Sequence, residues 1–346
     1  MKLVLYPRRL GTHRSGSSRN FLGRRAADVG QRGFSQTEPK SHRDFGVFPT
    51  FAGITAAFLS LVATTAVPAK TIHERETRYH YIQVDESRSI RTLQFRRKGT
   101  NYDESSVDMK DPLNLVLSYS RLMFSGFLFV PEPKSILMVG LGAGTCPRVM
   151  NHYFPQAKFE VVELDSDVLE VATQYFGFKQ NANLKVTVND GRKGVRLLKR
   201  QKRKYDLVML DAFRGGYIPA HLTTKEFLDD CRALLTPTGA LVSNLWPSLE
   251  LYEYERRTMA KVFPKQYSFG RYGNKIVVCL QRDPKLTQDD LRSRAKQIME
   301  KRKLSFDLAN VVAEMDLRTD YRATGDILTD DYSPANVLNS IPKDRE

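Results

Sequence analysis

Residues 139–145 read Val139-Gly140-Leu141-Gly142-Ala143-Gly144-Thr145, and what flanks them decides the fold. Upstream, residues 135–139 form a short apolar run of the kind that makes a buried strand, and downstream, residues 144–153 carry a helical pattern. A glycine-rich turn between the two lets the backbone come close to a ligand while the free N–H groups of the helix start point at it. The dinucleotide fingerprint G-x-G-x-x-G would need glycine at 145, where this chain has threonine, so the spacing leans away from NAD.

Outward from this turn the chain alternates. Strands are predicted at 158–163, 184–188, 205–210, 239–244 and 275–280, and helices at 166–176, 192–201, 224–235 and 248–263, with a last helix at 287–301. Thr223 with Glu226 reads as a capping box for the fourth helix. The rhythm predicts an α/β fold with a central, mostly parallel sheet and helices on both faces. Ahead of it, 79–84 and 89–95 around a polar turn predict a small β element, and Asp111-Pro112 followed by apolar residues at helical spacing predicts one helix over about 111–127. The expected organisation is a leader (1–46), a membrane span (47–69), a small β element plus helix (70–134), a Rossmann-like domain (135–282) and a C-terminal helix and tail (283–346).

Polar residues gather at the ends of the predicted strands. Glu163 closes the second strand, Asp190-Gly191 follows the third, and Asp211 follows the fourth. In open α/β folds these ends share one sheet edge, where ligands bind, and an acid at the position of Glu163 suits a pair of ribose hydroxyls. Asp165 reads as a helix cap. His221 precedes a predicted cap and Trp246 follows a strand, and both positions are explained equally well by structural roles. No Cys/His/carboxylate spacing suggests a metal site, and no phosphate-binding loop or nucleophile elbow is present.

Together, Val-Gly-Leu-Gly-Ala-Gly, Val-Glu-Leu-Asp at 161–165, Asn-Asp-Gly at 189–191, Tyr-Asp-Leu-Val-Met-Leu-Asp-Ala-Phe at 205–213, Ile-Pro-Ala-His-Leu-Thr at 218–223 and Leu-Thr-Asp-Asp-Tyr at 328–332 resemble the spermidine-synthase-like branch of the class I methyltransferase superfamily. The resemblance implies that Gly140, Leu141, Gly142 and Gly144 hold the amino-acid or aminopropyl end of an adenosyl sulfonium, that Glu163 binds ribose, that Asp190 and Gly191 meet adenine, and that Asp211 takes a proton from the acceptor. The chain departs from true synthases at three places. Arg214 replaces a second acid, Asn114-Leu115-Val116-Leu117 stands where a Tyr-His-Glu or Tyr-Gln-Glu element belongs, and His80 takes the place of a strand glutamine. An Arg214 guanidinium facing the pocket would repel an ammonium about 6 Å away by about 3 kcal/mol at an effective dielectric near 20. These departures make methyl transfer from S-adenosylmethionine to an unidentified acceptor the first expectation. Aminopropyl transfer from decarboxylated S-adenosylmethionine is the alternative, and a catalytically inactive, membrane-anchored binding or assembly protein is the third reading.

Residues 1–43 hold ten basic residues against two acids, and Arg32-Gly33-Phe34-Ser35 resembles the arginine-guided cleavage sites of mitochondrial presequences. Residues 47–69 run without a charge, long enough at about 1.5 Å per residue to cross roughly 30 Å of hydrocarbon. The expected location is therefore mitochondrial and membrane-anchored, with a plastid or other endomembrane as alternative. With the leader set aside, the basic excess of the remaining chain is ordinary, so nucleic acid is not an expected partner. The basic cluster at 192–204 reads as a solvated helix face ending in a basic loop. Association with further copies of the chain stays open. Cys146, Cys231 and Cys279 lie far apart in apolar stretches and read as small buried hydrophobes.

Overall fold

The structure, a computed structural model, describes residues 68–334. It opens with a four-stranded antiparallel sheet, β1 (Lys70–Glu76), β2 (Tyr81–Ser87), β3 (Ile90–Arg97) and β4 (Thr100–Asp108), paired in chain order. The sequence pattern located only the middle two strands. β1 and β4 are rich in charged and polar residues, and neither carries the apolar alternation that marks a half-buried strand. The helix expected over 111–127 is instead two short helices, α1 (Ser118–Leu122) and α2 (Ser125–Phe129). Asp111 closes a tight turn, accepting the Asn114 N–H on its carbonyl at 3.0 Å, and so does not cap a helix.

The larger sheet matches the predicted alternation. Its parallel strands are β5 (Ser135–Val139), β6 (Lys158–Glu163), β7 (Leu184–Val188), β8 (Tyr205–Leu210) and β9 (Leu235–Leu245), linked by α3 (Thr145–Tyr153), α4 (Ser166–Phe176), α5 (Gly191–Arg200) and α6 (Lys225–Leu234). After α7 (Leu251–Val262) the chain adds antiparallel β10 (Lys265–Phe269) and β11 (Lys275–Leu280), and after α8 (Gln288–Arg302) and α9 (Leu308–Ala313) it adds the short β12 (Met315–Asp316). The strand order is β12-β10-β11-β9-β8-β5-β6-β7. Successive strands are added on one side of β5 as far as β7 and then on its other side from β8, so the C-terminal ends of the parallel strands β5, β6, β7 and β8 open on one crevice at this switch point.

Alternate residues of each strand feed opposite faces, which is why the strands read as nearly continuous apolar runs. From β5, Ile136 and Met138 join the core under α1, α2, α3, α8 and α9, while Leu137 and Val139 join the core under α5, α6 and α7. A third core, with Ile82, Val84 and Phe95 against Val168, Val171 and Phe176, fastens the small sheet onto α4. α6 is capped by Thr224, which accepts from Phe227 N–H, and not by Thr223; Glu226 accepts instead from Asp330 N–H at 2.9 Å. Asp165 caps α4 as expected. One acidic side chain breaks the apolar pattern. Glu255 of α7 is 5% exposed and lines a cavity of about 20 Å³ with Leu210, Phe227, Ser243 and Met259, and burial alone pushes its carboxyl up to about 8.

Among the described residues no helix is long and apolar enough to cross a membrane. The leader and residues 47–67 of the expected span lie outside the described residues, and Pro68 and Ala69 lead directly into β1. Half of the eight basic residues at 192–204 are in ion pairs. Arg192 and Arg196 reach Asp330, Lys199 reaches Asp230, and Arg203 meets Glu160.

Candidate active site

At the end of β5 the chain must turn sharply beneath β8. Gly140 does so at φ +99°, and a Cβ there would lie 2.1 Å from the carbonyl oxygen of Asp211, so no larger residue fits. Leu141 N–H donates to Glu163 Oε2 and Asp165 N–H to Glu163 Oε1, both at 2.9 Å. The carboxylate at the end of β6 is thereby clamped against the glycine turn. Burial pushes it up to about 7, against these backbone donors. Gly140, Leu141, Gly142 and Glu163 all line a cleft of about 460 Å³. Gly144 sits elsewhere: it lies at φ +73°, where a Cβ would meet the Phe178 ring at 2.3 Å, and it is a packing residue outside the cleft lining.

The end of β7 brings Asp190 and Gly191 to the same cleft. Asp190 also caps α5, its Oδ1 accepting from Lys193 N–H at 2.9 Å, and its Oδ2 lies 2.9 Å from His221 Nε2. Burial opposes ionisation here, but these donors outweigh it and hold the Asp190 carboxyl below the usual range.

Asp211, at the end of β8, faces the other half of the cleft. Burial pushes its carboxyl up to about 6, opposed by Asn244, whose Nδ2 donates to Oδ1 at 2.9 Å. Asn274 Nδ2 in turn donates to Asn244 Oδ1 at 2.9 Å. A chain of two amides thus holds one oxygen of a buried acid, and its other oxygen has no partner among the described residues. Trp246, Phe213 and Tyr119 line the same half.

The structure adds a second carboxylate that sequence reasoning missed. Glu104 of β4 lines the cleft, accepts from Gly215 N–H at 3.0 Å, and is pushed up to about 8 by burial, with the charge of Asp211 adding to the rise. Two features position it. Ser105 bonds Thr145 at 3.0 Å, tying β4 to the start of α3, and Tyr119 donates its hydroxyl to the Glu104 carbonyl at 2.9 Å. Arg214, expected to supply a cation in place of an acid, lines the cleft at its exposed mouth, where its Nε donates to Tyr79 O at 3.2 Å. His80 stacks on Phe95 at 4.0 Å, and burial, with Arg214 adding to it, lowers its pKa to about 4, so it is neutral at pH 7. The only sequence signal for Glu104 was an acid within a polar run, which looks the same as a solvated loop.

The family model "Spermine/spermidine synthase domain" matches residues 117–272. A polyamine aminopropyltransferase of Vibrio vulnificus is 31% identical over 289 residues, covering 82% of this chain and 96% of that protein. Human methyltransferase-like protein 13, solved in complex with SAH, superposes with a TM-score of 0.50 at 28% identity over 54% of this chain and 93% of its own. Spermidine synthase from Thermotoga maritima superposes with a TM-score of 0.55 at 20% identity, covering 72% and 85%, a likeness of fold. The mitochondrial, membrane-anchored placement drawn from residues 1–69 is withdrawn: the described residues hold no membrane-crossing helix, and 82% of this chain accounts for nearly the whole of the bacterial relative. With the glycine turn, the four strand-end positions and the extent of the match to the Vibrio enzyme, the chain belongs to the spermine/spermidine synthase family, the spermidine-synthase-like branch of the class I methyltransferase superfamily.

Proposed function

We propose that this chain transfers an aminopropyl group from decarboxylated S-adenosylmethionine to a small amine. The observation that carries this reading is the pair of carboxylates, Glu104 and Asp211, on one half of the cleft, with the Arg214 guanidinium turned to a backbone carbonyl at the rim. Two neighbouring acids cannot both ionise cheaply in a poorly solvated site, and a cationic amine entering between them relieves that repulsion. The methyl-transfer expectation rested on three departures, and Glu104 answers the first of them by supplying from another strand the acid that Arg214 replaces; the departures at 114–117 and His80 stand.

The cleft suits an adenosyl ligand, with a backbone cradle at 140–142 that a Cβ at Gly140 would fill and a clamped carboxylate at Glu163. The sulfonium, when bound, supplies an activated carbon and a neutral thioether leaving group, so a C–N bond forms as the C–S bond breaks. The protein aligns the amine and removes its proton. Asp211, poised near pH 6 and steered by Asn244 and Asn274, takes that proton. Glu104 holds the remaining positive charge of a diamine. Trp246 and Tyr119 flank the amine with aromatic surface.

Methyl transfer remains the second reading, favoured by the resemblance to the human methyltransferase-like protein solved with SAH. Full-length protein supplied with decarboxylated S-adenosylmethionine and putrescine is expected to release methylthioadenosine, and with S-adenosylmethionine and the same amine to release no S-adenosylhomocysteine. The opposite pattern would replace the first reading with the second.

A further inference from the structure

Two sequence motifs play no part in the proposed chemistry, residues 218–223 and 328–332, and the structure joins them beside Asp190, at the β7 end of the cleft. His221 and Asp190 both line the cleft, with His221 Nε2 2.9 Å from Asp190 Oδ2. The backbone of His221 is held from the same helix that Asp190 caps, because Arg192 Nη1 donates to the His221 carbonyl at 3.2 Å. Arg192 is itself buried and donates through Nη2 to Asp330 Oδ2 at 2.5 Å. Asp330 accepts from Thr224 Oγ1 at 2.8 Å, and Lys225 N–H donates to the Leu328 carbonyl at 2.8 Å. Leu222, next to His221, closes on Gly191, where a Cβ would lie 3.3 Å from Leu222 Cδ2.

We propose that His221 is a positioning residue for purine recognition, donating Nε2–H to Asp190, and that the 328–332 segment holds it in place through Asp330 and Arg192. Asp190 has one oxygen committed to Lys193 N–H and the other to His221, so its plane is fixed, and the remaining lone pair of Oδ2 is aimed for a single further donor. A 6-amino purine supplies that donor. A 6-oxo purine presents an acceptor to an acceptor and is rejected. The selectivity therefore belongs to a carboxylate locked by a histidine and a tail segment more than a hundred residues away in sequence.

The inference assumes that Asp190 faces the purine; which group is transferred does not enter it. Calorimetry on the full-length protein with methylthioadenosine and methylthioinosine tests it. His221→Ala is expected to weaken methylthioadenosine binding about tenfold and to narrow the preference for the 6-amino compound. His221→Gln, whose amide can donate to Asp190, is expected to recover most of both. Asp330→Asn is expected to weaken binding by a few fold, with no additional loss when combined with His221→Ala, since both act through one contact chain. A residue that only supports the fold would lower thermal stability without moving the 6-amino to 6-oxo ratio, and would not be rescued by glutamine. If His221→Ala leaves affinity and ratio within twofold, the proposal falls while the adenosyl site stands. If the unmodified protein binds neither compound, both fall.

Discussion

On one side of the cleft, Leu141, Glu163 and Asp190 stand at the ends of three neighbouring parallel strands, β5, β6 and β7, each within a short local motif. On the other side, Asp211, Asn244, Asn274, Glu104 and Tyr119 are gathered from β8, β9, the β10–β11 turn, β4 of the small sheet and α1. The first half is built by backbone geometry and local contacts: a glycine turn, a carboxylate clamped by two N–H groups, a helix cap. The second is built by tertiary packing between elements distant in the chain. On the proposed function, the half fixed by local rules would hold the adenosyl ligand and the half assembled at long range would choose the acceptor.

If this division is right, substitutions on the two sides separate binding from turnover. The largest effect is expected from Asp211→Asn, which should lower kcat by about 10²–10⁴-fold while leaving methylthioadenosine affinity within about twofold, as measured by steady-state kinetics and calorimetry. Because burial raises the Asp211 carboxyl to about 6, the base is protonated below that pH. kcat/KM of the unmodified protein should therefore climb as pH rises through about 6 and again toward about 8 as Glu104 ionises, and the variant should lose the lower limb. Glu163→Gln is expected to have the intermediate effect, weakening the nucleoside by roughly 10–100-fold, corresponding to about 1.5–3 kcal/mol for lost hydrogen bonds to a charged group, with a smaller change in kcat for enzyme saturated with ligand. A fall in kcat as large as that of Asp211→Asn would erase the distinction. The smallest effect is expected from Arg214→Ala. An exposed side chain bonded to the Tyr79 carbonyl should change kcat/KM for a diamine by less than about threefold, and a large gain would return the guanidinium to the acceptor pocket.

The same division decides what could be read from the sequence. β5, β6, β7, β8 and β11 were legible to the residue, because short apolar or alternating runs bounded by turn formers mark a strand whether it is buried on both faces, as β5, β8 and β11 are, or lies at the exposed edge, as β7 does. Glu163, Asp190 and Asp211 were legible as strand-end acids. β1 and β4 were not, since one side of the small sheet packs on α4 and the other carries Arg, Gln, Asn and Asp side chains bonded to one another, as in Gln94 to Asp103 at 2.7 Å and Arg96 to Gln83 at 2.6 Å. Glu104 was hidden for that reason. The direction of Arg214 was left open because a residue's place in a motif does not fix where a long side chain points, and here its Nε bonds the Tyr79 carbonyl at the mouth of the cleft. Tyr119 went unnoticed because the helix expected to begin at Asp111 starts only at Ser118, which shifts the face that each residue presents.

Glu255, with no hydrogen bond or ion pair from any described residue, is one of four buried carboxyls that the fold pushes toward or above neutrality, to about 8, beside Glu104 at about 8, Glu163 at about 7 and Asp211 at about 6. Three of them line the cleft, where a bound cation can restore ionisation, but Glu255 lies in its own cavity behind Leu210 and Ser243. In an unfolded chain it would release its proton near the ordinary glutamate value of 4.5, and in the native protein it keeps that proton to about 8. Folding in this interval is therefore a proton-uptake reaction. By linkage, the Glu255 contribution to stability is fully present below 4.5, declines as pH rises toward about 8, and is flat beyond it. An amine binding at Glu104 as proposed would run the opposite way, expelling a proton as the cation enters, so the heat of folding and the heat of binding would shift in opposite directions when one buffer is exchanged for another of different ionisation enthalpy.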